Sequence, residues 1–150
     1  MTTWIPKHPR DAGDVPETVG PHVFGGHLDT EAAFRLIDEG LEISVLDNFL
    51  ELFPQARPEL GLIIGISDRS LVRRRSQGRF TPAESDRLFR LVETYGLATR
   101  VLESTEAADE WMASPAVALS DRMPLTYLRN EAGTQRVVAL LQRIEHGVYS

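Results

Sequence analysis

Residues 65–91 read GISDRSLVRRRSQGRFTPAESDRLFRL. Two helix starts lie inside this stretch. Ser67 is placed to cap a helix that runs through Arg75 and closes at Gly78. Thr81, Pro82 and Glu84 spell the second start. The hydroxyl caps, the proline suits the first helical position, and the glutamate three residues on completes a capping box. Leu88, Leu91, Val92, Tyr95 and Ala98 then recur at helical spacing as an inward stripe. Just upstream, Gly61, Gly65, Ile66 and Leu71 can be laid on a helix-turn-helix plan. Gly61 lets two helices approach, Gly65 accepts the backbone of the turn, and Ile66 with Leu71 pins the second helix to the core. Ser67, Asp68, Arg69 and Ser70 fall at the exposed start of that helix, where base edges are usually read.

Charge is concentrated in the same place. Residues 57–100 hold nine arginines and five acidic residues, a balance of +4, which leaves -10 for the rest of a chain of net charge -6. Arg69 and Arg73 stand one turn apart on a common face, and Arg74, Arg75 and Arg79 follow. Guanidinium groups suit phosphate oxygens, a helix fits the major groove, and recognition depends on a local patch rather than on net charge. Arg75 and Arg79 suit phosphates better than bases, and the stem of Arg74 can lean inward beside Leu71. The residues alone leave a second reading open, a solvated arginine-rich helix on a plain helical core. Asp68 favours that reading unless it accepts from cytosine or orients a neighbour.

Outward from this centre the chain reads as helical throughout. Four of the nine prolines and Gly13, Gly20, Gly25 and Gly26 crowd residues 1–27, a density that predicts a flexible segment without a long helix. Short helices are expected from Thr30 to Gly40, over the stripe Val45, Leu46, Phe49, Leu50 and Phe53, and across residues 57–64. Beyond residue 100, Thr105 is placed to cap a helix reaching Met112, and a short helix is expected over residues 124–129. A longer one over residues 131–146 carries Val137, Leu140, Leu141 and Ile144, with Gly147 as its C-cap. No alternating strand pattern occurs. The expectation is an all-α protein in two packed halves, residues 28–100 and residues 101–150.

Composition narrows the function. An apolar content of 42% supports a real core. The absence of cysteine excludes a disulfide scaffold, a thiolate zinc site and a cysteine nucleophile. No run approaches 18 apolar residues and no export signal opens the sequence, so a cytoplasmic protein is expected, with no membrane partner. His8, His22, His27 and His146 have no metal-ligand spacing, and no glycine-rich stretch continues as a phosphate loop. Asp109 and Glu110 are adjacent, so they do not face one substrate. Neither an enzyme nor a cofactor is expected.

Two segments resemble the Xre/MbcA/ParS-like antitoxins, partners of RES-type toxins. Residues 65–91 are similar to that family's helix-turn-helix and the helix after it. Pro124, Leu125 and Leu128, followed by EAGTQRVVALLQRIEHGVYS at residues 131–150, resemble its toxin-binding end. One segment departs from the pattern. Where relatives carry a glycine pair before the proline, this chain has Ser120 and Asp121, which puts the path of that loop in question.

The resemblance implies a two-part antitoxin: an Xre-like helix-turn-helix bundle, then a small helical toxin-binding domain. The first part would dimerise and bind the operator of its own operon through Ser67, Asp68, Arg69, Ser70, Arg73, Arg74, Arg75 and Arg79. The second would hold an NAD-depleting RES-domain toxin through Arg136, Leu140, Arg143 and Ile144, as a homodimer or in a larger assembly. Gly147 would turn the backbone so that Val148, Tyr149 and Ser150 obstruct the toxin's dinucleotide cleft. Tyrosine brings rigid contact area with a hydroxyl, and a terminal carboxylate suits a pocket built for pyrophosphate. Two rivals stand beside this reading. One is an interaction protein that does not bind DNA, and the other is a stand-alone helix-turn-helix regulator.

Overall fold

The computed structural model describes residues 16–26 and 28–147. These form eight α-helices with short 3-10 turns between them, and no strand occurs among the described residues. The elements are α1 (Pro16–Phe24), α2 (Thr30–Glu39), α3 (Ile43–Leu52), α4 (Leu60–Ile64), α5 (Asp68–Gln77), α6 (Pro82–Leu102), α7 (Thr105–Met112) and α8 (Glu131–Glu145). The all-α expectation therefore holds.

Caps set the starts, as the sequence suggests for Ser67 and Thr81. Asp29, Ser67, Thr81, Ser104 and Asn130 each accept a hydrogen bond from the backbone N–H three residues on. At Thr81 the capping box is complete, because Glu84 Oε1 accepts from the Thr81 N–H at 2.9 Å. Ser104, not Thr105, caps α7.

Helix α6 is the spine. Its 21 residues span roughly 31 Å at 1.5 Å per residue. It packs against α1, α2 and α4, and also against α7 and α8. Tyr95 of α6 meets the rings of Phe49 and Phe53 at 4.9 and 4.5 Å between centroids, and all three side chains are fully buried. One buried apolar cluster runs from Val19 through this aromatic centre to Leu141. Such continuous burial is the main favourable term holding small helical elements in place.

Two elements depart from expectation. Within the segment expected to be flexible and without a long helix, the nine-residue α1 forms despite Pro21. Val19 and Val23, one turn apart and each 1% exposed, bury their side chains against the core formed by α3 and α6. Phe24 adds a ring contact to Phe89 at 5.6 Å. Tertiary burial outweighs the breaker composition there. The helix expected over residues 57–64 is instead a 3-10 turn, Pro54–Glu59, leading into the single turn of α4. Pro54 and Pro58 lack the N–H groups that a longer α-helix requires, and the tighter turn does not need them.

Helix α8 lies on α6 and on the 3-10 turn Pro124–Arg129. Gly133 allows that approach, since a Cβ there would collide with the carbonyl oxygen of Tyr127. Val137 and Leu141 are fully buried, while Leu140 and Ile144 pack on the core's edge. The ends of α8 are tied to α6 by ion pairs, Glu131 with Arg90 and Glu145 with Arg100.

Candidate nucleic-acid interface and carboxyl-terminal helix

The turn between α4 and α5 is built as the spacing predicts. Gly65 closes α4 in the left-handed region at φ 76°. The Gly61 carbonyl accepts from both the Gly65 and Ile66 N–H groups at 2.9 Å. Ile66 is buried and Leu71 packs against the core, so both pin α5 inward. Arg87 of α6, which the sequence reading passes over, donates from Nη1 to the Ile64 carbonyl at 3.1 Å and lies against Gly65. That contact satisfies a carbonyl at the end of α4.

The arginines of α5 divide into two groups. Arg69 and Arg73 are exposed, with no hydrogen bond or ion pair among the described residues. Arg74 leans inward. Its Nε and Nη2 donate to Glu84 Oε1 and Oε2 at 2.8 and 3.1 Å, and its Nη1 donates to Gln77 at 3.2 Å. The two side chains of this pair are only 13% and 9% exposed. Burial opposes the charge on Glu84, but the Arg74 hydrogen bonds and the Thr81 N–H hold its carboxyl below the usual glutamate range. Arg75 forms a forked pair with Asp47 at 3.0 and 3.1 Å. Arg79 donates to the Gly40 carbonyl at 2.8 Å and faces Glu42 at 3.6 Å.

Helix α5 thus turns one stripe outward, formed by Asp68, Arg69, Val72, Arg73 and Ser76, all exposed. Ser67 and Ser70 are occupied with capping, their hydroxyls 3.0 Å apart. Val72 and Ser76 have no place in the sequence-derived set. The signal for them was available, because they stand three residues beyond Arg69 and Arg73 on the same face.

At the other end, Arg136 reaches back over the loop. Its Nη2 donates to the Ala118 carbonyl at 3.2 Å and its guanidinium stands 6.0 Å from the Tyr127 ring centre. The Tyr127 hydroxyl donates to the Leu119 carbonyl at 3.0 Å. Between these groups Ser120 and Asp121 adopt φ of 57° and 60°. They take the left-handed region that glycine favours. Arg143 is exposed, and Gly147 turns at φ 71°. Val148, Tyr149 and Ser150 lie outside the described residues.

Among the described residues no group of three or more histidines and carboxylates could hold a metal ion. None of the helices formed by these residues is long and apolar enough to cross a membrane.

Residues 32–93 match the antitoxin Xre-like helix-turn-helix domain. Residues 97–147 match the antitoxin Xre/MbcA/ParS C-terminal toxin-binding domain. An antitoxin Xre of Yersinia enterocolitica is 36% identical over 116 residues, covering 76% of this chain and 78% of that protein. An antitoxin Xre of Photorhabdus laumondii is 31% identical over the whole of both chains. The second alignment includes residues 1–27.

Proposed function

From the premise that this chain belongs to the Xre/MbcA/ParS antitoxin family, with a helix-turn-helix and a C-terminal toxin-binding domain, we propose that it neutralises a RES-type, NAD-depleting toxin by obstructing its dinucleotide cleft. The observation that carries this reading is the end of α8. The helix is fastened to α6 at both termini and then turns left-handed at Gly147. Arg136, Leu140, Arg143 and Ile144 belong to the docking face of that platform. Val148, Tyr149 and Ser150 enter the cleft, where the Tyr149 ring brings rigid contact area and a hydroxyl able to hydrogen-bond.

The same protein represses its own operon from the cytoplasm, as a dimer whose two α5 helices reach two half-sites. Pairing multiplies the modest affinity of one helix. In this reading Arg69 and Arg73 carry the contact with DNA, and Arg75 and Arg79 exchange their exposed carboxylate partners, Asp47 and Glu42, for phosphates. Arg74 is withdrawn from the set because its guanidinium is held by Glu84 and Gln77. Residues 28–100 carry this activity and residues 101–150 carry the hold on the toxin.

Co-expression with the protein encoded beside it, followed by an NAD-consumption assay, tests the proposal. A co-purified complex that spares NAD supports it, and a partner that consumes NAD equally fast with and without this chain refutes it. A mobility shift with the operon's own promoter DNA tests the second activity. No shift, with or without the toxin, would leave α5 as a packing element.

A further inference from the structure

Val72 is 69% exposed at the centre of the outward stripe of α5. Its neighbours on that stripe are Asp68 and Arg69 on one side and Arg73 and Ser76 on the other. Leu71, the residue before it, already supplies the apolar contact that fixes α5 to the core. A β-branched residue is a mediocre helix former, and leaving it in water contributes nothing to folding. The flanking Arg69 and Arg73 have no partner among the described residues, whereas Arg74, Arg75 and Arg79 do. This face therefore presents two unengaged cations with one isopropyl group between them.

The major groove of B-DNA offers a surface of that composition. Guanine O6 and N7 and the phosphates accept from guanidinium groups, and thymine alone among the four bases places a methyl group in the groove. A second copy of the chain fits the face poorly, since a symmetric contact would bring the same unpaired cations against each other in a drying interface.

We infer that Val72 packs against the 5-methyl group of a thymine in each half-site, and so is a specificity-determining residue of the DNA-facing helix. This rests on the operator-binding reading above. Arg69 and Arg73 supply attraction and guanine or phosphate contacts, and Val72 adds a preference that charge alone does not provide.

The test begins with the full chain and selection of preferred duplexes from a random DNA pool. Affinity is then measured with each thymine in turn replaced by deoxyuridine, which keeps the base pair and removes only the methyl. The wild-type chain should lose about fourfold at one thymine per half-site, the worth of about one buried carbon. Val72→Ala should bind the unmodified duplex more weakly and show no further loss at that position. Alanine is the better helix former at an exposed site, so the variant keeps its fold. Identical deoxyuridine profiles for the two proteins overturn the inference and leave operator binding standing. A change in sedimentation of Val72→Ala with an unchanged profile also overturns it, and moves the valine to a contact between copies. A wild-type chain that selects no duplex refutes operator binding itself, and this inference with it.

Discussion

Arg74 and Glu84 join the start of α6 to the outer helix of the helix-turn-helix, with Arg74 Nε and Glu84 Oε1 2.8 Å apart and both side chains nearly out of solvent. Glu84 serves two tasks at once, because the same Oε1 completes the capping box with Thr81. The arginine run at residues 73–75 is thus partly a structural clasp.

Glu84→Gln and Arg74→Ala should both destabilise the fold. Each removes charge-assisted hydrogen bonds from a shielded site, and a fall in Tm of roughly 2–6 °C is expected for a chain of this size. The sign with pH follows from the lowered carboxyl of Glu84. Its stabilising contribution is present above the unfolded value near 4.3 and is lost as pH falls through the lower folded value. Thermal scans from pH 7 to pH 3 should show the wild type and Glu84→Gln converging in acid. A gap that stays constant across this range would contradict the ionic role.

Asp109 behaves in the opposite sense. It is 6% exposed and accepts from the Gln55 backbone N–H at 3.2 Å and from the Gln55 side chain at 3.3 Å. Burial pushes its carboxyl up, partly offset by those hydrogen bonds. A raised folded value means that ionisation costs stability as pH rises through it. Asp109→Asn should therefore raise Tm at neutral pH. The advantage should vanish below pH 4. The Gln55 side chain can rotate to accept from the new amide. A lower Tm at neutral pH would show that both Gln55 contacts need the carboxylate.

Ser120 sits at φ 57°, where an L-residue is strained and glycine is not. Ser120→Gly should raise Tm by roughly 1–3 °C, the relief of strain exceeding the added freedom of the unfolded chain. Calorimetry reads this directly. A fall in Tm would mean that the serine side chain holds the loop.

Arg69→Ala and Arg73→Ala should leave Tm nearly unchanged, since neither side chain has an internal partner. Each that contacts phosphate should weaken operator binding and reduce the salt slope by about 1. Arg75→Ala should act more weakly, because Arg75 must first leave Asp47. Equal affinity and slope for wild type, Arg69→Ala and Arg73→Ala would remove them from the interface.

Most of the helical frame was legible because its signals are local. Thr81 with Glu84, Ser67, and the stripe from Leu88 to Ala98 each act within one or two turns. The parts that were not legible depend on distant partners. Helix α1 exists because Val19 and Val23 find α3 and α6, which no local pattern announces. The contacts that Arg74, Arg75 and Arg79 make, with Glu84, with Asp47, and with Gly40 and Glu42, come from elsewhere in the chain. A run of arginines does not reveal which of its members face inward. Ser120 and Asp121 show the converse case, in which the missing glycine pair still leaves the backbone in the glycine region.

In the proposed inhibition, Val148, Tyr149 and Ser150 obstruct the toxin while α8 provides the hold. Deleting Val148, Tyr149 and Ser150, then measuring both toxin affinity and NAD consumption in the complex, tests it most directly. The account predicts a truncated chain with unchanged Tm and DNA binding that still co-purifies with the toxin but no longer spares NAD. Full protection of NAD by the truncated chain would contradict it.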